Sequence, residues 1–156
     1  MSARRRSTNN VLPIGDHAFI ALLKAADLLQ QEAEQLLKSH GLTGAQYNVL
    51  RILRGAEPDG LACSSIGERM ISHDPDITRL LDRMGKRDWI TRERQTNDRR
   101  VIKTRITSAG LDLLKRLDQP IHELHKQQFR HIPARRVKEL ARLLEELRAG
   151  REGKQL

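Results

Sequence analysis

Apolar residues recur at helical spacing along the first part of the chain. From Asp16 to Ser39 leucines and alanines fall three or four positions apart, and His40-Gly41 ends the predicted helix. A second helix opens at Thr43 in a Thr-x-x-Gln capping box, which Gln46 completes. The pattern therefore predicts two consecutive helices joined by a short turn.

Two further helices are expected after the loop of residues 55–60, whose proline and glycines interrupt the pattern. Residues 63–70 form the first of them. An apolar stripe marks the second and consists of Ile77, Leu80, Leu81 and Met84. We expect Asp74 to cap this helix and Pro75 to take its first position. Two such helices joined by a short turn have the proportions of a helix-turn-helix.

The second half of the chain predicts a hairpin and then more helix. Two strands are expected around a basic tip, from Trp89 to Arg94 and from Val101 to Thr107. Thr107 then caps a long helix, which Pro120 is expected to bend or divide. Pro133 starts a last helix whose predicted inward positions are Val137, Leu140, Leu144 and Leu147. The fold class is therefore mainly α with a small β-hairpin wing.

Positive charge is concentrated around the hairpin. The net charge is +9, and residues 75–105 hold ten Lys and Arg against five Asp and Glu. A local surplus of this kind is typical of a nucleic-acid-binding face, although a solubilising surface is the alternative. With only four aromatic residues the chain offers no stacking platform for single strands. Duplex DNA is the favoured partner.

Other function classes find little support in the sequence. Cys63, the only cysteine, excludes an internal disulfide, and we favour a packing role for it over redox sensing. His122 and His125 are favoured as solvated or interface residues over metal ligands. No apolar run reaches the length of about eighteen residues that spans a membrane, and no signal peptide is visible. We expect a cytoplasmic protein that needs no cofactor, contacts no membrane and is not an enzyme.

Three stretches resemble one family of transcription factors. GLTGAQYNVLRIL, DITRLLDRMGKRDWI and NDRRVIKTRITSAG follow one another, within residues 41–117, at the spacing of the MarR (multiple-antibiotic-resistance regulator) family. The resemblance implies a winged helix-turn-helix flanked by N- and C-terminal dimerisation helices. It implies a homodimer that binds a pseudo-palindromic operator, with repression as the default. Many members release DNA when a small phenolic or aromatic effector binds.

The resemblance divides the chain into four parts. These are a disordered basic tail (1–12), an N-terminal dimerisation helix (13–40), the winged helix-turn-helix DNA-binding region (41–107) and C-terminal dimerisation helices (108–149). One departure concerns Asp88, which stands where family members usually have glycine after the recognition helix. Asp tolerates a left-handed backbone better than most residues, so a helix end there is compatible with the sequence.

The recognition helix is expected to enter the major groove with its N-terminal half. Arg79 is suited to guanine O6 and N7, and Asp76 to cytosine N4. The alternative is that these two form ion pairs along a solvated helix with Asp82 and Arg83, which is the favoured interpretation for Asp82. The candidate contacts on this helix are Pro75, Asp76, Thr78, Arg79 and Arg83.

Further contacts are expected from the hairpin. Arg92 and Arg94 are suited to phosphates, and Arg99 with Arg100 to the adjacent minor groove. In the resembled family an aspartate steadies the second arginine of this motif, which implies that Asp98 steadies Arg100.

Two serines complete the predicted contacts. Ser64 and Ser65 donate to a phosphate or cap the short helix. Effector contacts are not predictable from the sequence. The alternative function is a basic nucleic-acid-binding protein without ligand regulation or strong sequence specificity.

Overall fold

The computed structural model describes residues 12–72, 76–94 and 102–152, with side chains up to residue 150. Residues 1–11 of the predicted tail (1–12) therefore lie outside the described residues. The elements in chain order are α1 (Ile14–Ser39), α2 (Gly44–Arg54), β1 (Leu61–Ala62), α3 (Cys63–Arg69), α4 (Ile77–Lys86), β2 (Ile90–Arg94), β3 (Ile102–Ile106), α5 (Ser108–Phe129) and α6 (Ala134–Glu152).

One core joins the central helices to the sheet. Leu50 of α2, Leu81 of α4 and Leu114 of α5 are fully buried, and Ile90 and Ile106 close the core from β2 and β3. The predicted fold class, mainly helical with a small antiparallel sheet, is confirmed. None of the described helices combines the length and apolarity needed to cross a membrane.

The sheet has a strand that the sequence pattern did not predict. The order is β1-β3-β2, with both neighbours antiparallel to β3. β1 is only two residues long, too short for a period-two pattern to be visible. A Cβ on Gly60, just before β1, would lie 2.5 Å from the carbonyl oxygen of Thr104, so only glycine allows this close approach.

Two predicted helix caps are confirmed. Thr43 Oγ1 accepts from the Gln46 N–H at 3.2 Å, and Gln46 Oε1 accepts from the Thr43 N–H at 3.0 Å. Thr107 Oγ1 accepts from the Gly110 N–H at 3.1 Å and also donates to the Asp88 carbonyl at 2.6 Å. Thr107 therefore fixes the start of α5 to the segment that ends α4.

The predicted cap of α4 is wrong. The helix begins at Ile77, and Asp76 is its N-cap, with a side chain that accepts from the Arg79 N–H. An N-cap carboxylate reaches the N–H two or three positions ahead, so Asp74 stands too early to serve. Pro75 consequently precedes the helix, and its own placement lies outside the described residues. At the other end Asp88 has φ 57, the left-handed conformation expected there.

Two predictions for the C-terminal helices need correction. α5 runs without a break through Pro120, so the proline does not divide it. The predicted inward leucines of α6 are not covered by this chain, since Leu144 is 37% exposed and Leu147 is 53% exposed. The apolar spacing on α6 indicates a face suited to burial, but among the described residues only Val137 of this face is half-buried and the leucines stay exposed.

A bidentate ion pair connects α2 to α5. Arg54 donates from Nη1 and Nη2 to the two carboxylate oxygens of Asp118, at 2.8 and 3.0 Å. These hydrogen bonds lower the pKa of Asp118 below its ordinary value against the opposing effect of burial. They raise the pKa of Arg54 in the same way. The pair connects the helix-turn-helix region to the long helix that follows it.

Replacing Asp118 with asparagine removes the ion pair with Arg54 and is expected to lower the free energy of unfolding at pH 7 by roughly 0.5–1 kcal/mol. The loss is small because solvent screens the partly exposed pair. A carboxyl with a lowered folded-state pKa stabilises the fold above its unfolded pKa of about 4 and loses this effect as the pH falls through the folded value. The difference between Asp118→Asn and wild type should therefore shrink as the pH falls below the unfolded pKa of about 4. Urea unfolding at neutral and at acidic pH measures it, and an equal difference under both conditions would contradict the assignment.

Candidate nucleic-acid interface

One face of α4 is held in the core while the opposite face is exposed. Leu80, Leu81 and Met84 are buried, as the apolar stripe predicted. The polar residues between them point outward, and Thr78 and Arg83 are exposed. A helix anchored in this way presents a fixed row of polar side chains, which is what entry into a major groove requires.

Asp76 and Arg79 form a pair at the start of α4. Besides capping the helix, the Asp76 carboxylate lies 3.1 Å from Nε of Arg79. The Arg79 side chain remains 79% exposed. The ion-pair alternative is therefore observed for these two residues. The same pair orients the exposed Arg79 guanidinium at the N-terminal end of α4, which is the end expected to enter a major groove.

Arg87 anchors the far end of α4, a role that the sequence did not reveal. It follows the last helical residue and donates from Nη1 to the carbonyl of Gly41 at 2.7 Å. Its guanidinium also lies over the Trp89 ring, 4.5 Å from the centroid. Because Gly41 belongs to the turn between α1 and α2, no local spacing signals this contact.

Arg92 and Asp82 connect the sheet to α4. Asp82 pairs with Arg92 of β2 and not with a neighbour on its own helix. The Arg92 side chain is only 21% exposed, and its Nε is buried without a hydrogen-bond partner in the described parts of the chain. Arg92 was expected to contact a phosphate. In this structure its side chain is largely covered and pairs with Asp82, so it connects β2 to α4.

Replacing Asp82 with alanine is expected to lower the free energy of unfolding by about 1 kcal/mol, because the largely covered Arg92 guanidinium loses its counter-charge. In Asp82→Ala/Arg92→Met the loss should be smaller than the sum of the two single losses. Urea unfolding of the wild type, both single variants and the double variant measures this coupling.

Asp112→Ala is the matched control for this cycle, because it breaks the more exposed pair with Lys115 and should cost only about 0.3 kcal/mol. If the loss in the double variant equals the sum of the two single losses, the two side chains do not stabilise each other.

Of the remaining arginines and wing residues predicted to contact DNA, the structure describes only some. Arg94 at the end of β2 is exposed. Pro75, Asp98, Arg99 and Arg100 lie outside the described residues, so the link between Asp98 and Arg100 stays a prediction.

The two serines at the start of α3 do not cap it. Ala62 is the N-cap of this helix, without a side-chain hydrogen bond. Ser64 is exposed and Ser65 is half-buried, so the capping alternative is wrong and the phosphate role stays a prediction. Cys63 packs against the core at the first position of α3, as a packing residue would.

A cavity of about 660 Å³ lies between α1, α2, α5 and the turn after α3. Its polar wall includes Tyr47 and Arg51, and Arg51 Nη1 donates to the Tyr47 hydroxyl at 3.0 Å. Glu34 and His125 add polar atoms from α1 and α5. No sequence pattern signals this cavity, because its walls come from segments far apart in the chain. Among the described residues no group of His, Cys, Asp or Glu is arranged to hold a metal.

Comparison with known proteins gives one consistent result. The MarR family profile matches residues 42–102. The homoprotocatechuate degradative operon repressor of Escherichia coli is 30% identical over 131 residues, covering 84% of this chain and 87% of the relative.

Solved structures agree with this. A MarR transcription factor from Planctomyces limnophilus shares 36% identity with a TM-score of 0.68, over 86% of this chain and 97% of that one. A mutant of MarR from E. coli, complexed with operator DNA, has the same fold, with 22% identity and a TM-score of 0.75 over 92% and 99% of the two chains.

Proposed function

This chain belongs to the MarR family of transcription regulators, and we propose on that premise that it is a homodimeric repressor that binds a pseudo-palindromic operator in duplex DNA. The proposal rests on α4, whose Leu80, Leu81 and Met84 are buried in the core while Arg79 is exposed at its N-terminal end. The local surplus of positive charge supports a phosphate-rich partner. The division at residues 41–107 and 108–149 belongs to the same proposal.

Roles at the interface follow from the contacts. Arg79 reads a guanine. The main role of Asp76 is to orient Arg79, in place of the contact with cytosine that was expected of Asp76. Arg94 neutralises a phosphate, and Arg92 holds β2 against α4. The remaining proposed contacts are Ser64, Ser65, Pro75, Thr78, Arg83, Asp98, Arg99 and Arg100.

A second copy of the chain is the proposed cover for the exposed apolar faces. Contiguous apolar surface on a soluble chain is typical of an interface. The exposed large apolar side chains on α1 and α6 are Ile14, Phe19, Ile20, Leu23, Leu28, Leu140, Leu143, Leu144 and Leu147. A two-fold dimer formed by these helices would bury them and place two α4 helices on two half-sites.

The cavity beside α2 is the proposed effector site. Its volume falls within the usual range of small-ligand pockets, roughly 300–1,000 Å³. Arg51 supplies a positive charge and Tyr47 a hydroxyl to a wall that is otherwise mostly apolar. This chemistry fits a small aromatic acid, with the ring on the apolar wall and the carboxylate at Arg51.

Selection of genomic DNA tests the main proposal. The purified protein is incubated with fragmented genomic DNA at near-physiological salt, and the bound fragments are sequenced. We expect a few fragments that share a pseudo-palindrome. Even recovery of all fragments would support the other candidate, a basic protein that binds phosphates without reading bases.

Release of a recovered operator tests the effector site. A panel of aromatic acids that includes homoprotocatechuate, the compound in the name of the E. coli relative, is titrated into the complex and followed by fluorescence anisotropy. We expect release by at least one acid, and roughly tenfold weaker release from Arg51→Leu, which loses the charged partner. If none of the acids releases the operator, the proposed effector site is wrong, but the proposed operator binding is unaffected.

A further inference from the structure

Asn48 connects the cavity to the segment that leads into α4. It lies on α2 and lines the cavity. Its carboxamide oxygen accepts a hydrogen bond from the backbone N–H of Ile71 at 2.8 Å. Ile71 stands between the end of α3 and the start of α4. One side chain therefore touches both the proposed effector site and the turn of the helix-turn-helix.

The hydrogen bond matters because, among the described residues of this turn, Met70 packs against the core but Ile71 and Ser72 do not. α3 ends at Arg69, and Met70 already has an extended backbone with φ −66 and ψ 144. The Ile71 side chain is 84% exposed and Ser72 is exposed, so burial does not fix their positions. A backbone N–H needs an acceptor when no helix supplies one, and Asn48 provides it from the neighbouring helix.

The cavity reaches both partners of this bond. Met70, Ile71 and Ser72 line it from the turn, and Asn48 lines it from α2. A molecule in the cavity therefore lies against the carboxamide and against the turn that it holds. Competition for the Asn48 oxygen, or displacement of Ile71, acts on the segment immediately before α4.

We propose that Asn48 is a positioning residue for DNA binding, which holds the turn before the recognition helix through Ile71 and links that turn to the cavity wall. The inference rests on the proposed function of α4 as the DNA-reading helix. The buried face of α4 fixes the helix in the core, and the bond to Asn48 holds the backbone at Ile71 that leads towards its N-terminal end. Loss of the bond releases the turn while the core of Leu50 and Leu114 stays packed.

Three substitutions separate the hydrogen bond from packing. Asn48→Asp keeps an acceptor oxygen at the same place, whereas Asn48→Leu keeps the size and removes the acceptor. Asn48→Ala removes the acceptor without adding bulk. We expect operator affinity to fall roughly three- to tenfold in the Leu and Ala variants and to stay within about twofold of wild type in the Asp variant.

Amide hydrogen exchange at Ile71 supplies a readout that general destabilisation does not reproduce. Protection of the Ile71 N–H should fall in the Leu and Ala variants and persist in the Asp variant, with Leu50 in the core unchanged. Gln119→Leu is the matched control, because its exposed carboxamide bonds to Glu123 within α5 and does not line the cavity.

Each outcome is decisive. Wild-type affinity in Asn48→Leu, or a loss in Asn48→Asp as large as in Asn48→Leu, would overturn the positioning role. If the wild type selects no operator at all, the proposed function fails and not the hydrogen-bond assignment alone. Wild-type operator binding together with an unaffected Asn48→Leu variant refutes only the role of Asn48.

Discussion

Replacing Leu144 and Leu147 together with glutamate is expected to turn the protein into a monomer and to lower operator affinity roughly 100-fold or more. Both leucines are exposed on α6 of the single chain, where a partner would cover them. Two charges in a desolvated apolar interface are costly, so association should be lost while the core of each chain remains. A monomer binds only one half-site, so it lacks the additional affinity that a dimer obtains by binding two half-sites at once.

Light scattering coupled to gel filtration measures the first effect, since the mass should fall to that of one 17.9 kDa chain. Titration of a labelled operator measures the second. Ala149→Glu is the matched control, because it adds the same residue to α6 on the side away from the leucines. An unchanged mass in Leu144→Glu/Leu147→Glu would contradict the proposed dimer interface.

Replacing Arg79 with alanine is expected to weaken operator binding roughly 10- to 100-fold and to leave binding to bulk DNA nearly unchanged. A bidentate arginine–guanine contact contributes about 1–3 kcal/mol of discrimination against other bases. Arg79 is the arginine whose exposure and position at the start of α4 suit this role, and its Nε is steadied by Asp76. Sequence preference should relax at one base pair in each half-site.

Competition titrations with the operator, with operators changed at single positions and with unrelated duplex DNA measure the effect. Lys86→Ala is the control, because it removes one positive charge from the end of α4 and should weaken operator and unrelated DNA alike. If Arg79→Ala also weakens all duplexes equally, Arg79 contacts phosphate and does not read a base.

Arg79 and Arg92 both lie in the basic region, but their neighbours give them different environments. Arg79 is exposed and paired within its own helix, whereas Arg92 is largely covered and paired across elements. Substituting Arg92 therefore changes how β2 sits on α4 before it changes any charge presented to DNA. Similar residues in one basic region thus have different physical roles, which composition alone does not separate.

Local features were predictable because they depend on residues three or four positions apart. The apolar stripe of α4, the capping box at Thr43 and the cap at Thr107 are confirmed for this reason. The left-handed backbone of Asp88 belongs with them, since it follows from the local preference of one side chain. The family resemblance carried the order of these elements.

Errors arose where a local pattern was extended beyond its range. The leucines of α6 have the spacing of a buried face, but spacing does not say which chain covers it. Asp74 and Asp76 are both suitable caps, and the choice between them depends on where α4 begins. Of the two effects expected of Pro120, division of α5 is excluded because the helix is unbroken there, and a bend stays a prediction.

The sequence by itself determined the helices, the caps at Thr43 and Thr107, the hairpin strands and the basic region, because each is encoded by neighbouring residues. Only the tertiary structure decided the contacts of Arg87 with Gly41, Arg92 with Asp82 and Asn48 with Ile71. The physical reason is that these pairs depend on how helices and strands pack. A hydrogen bond or an ion pair between elements forms only when packing has brought both partners within about 3 Å.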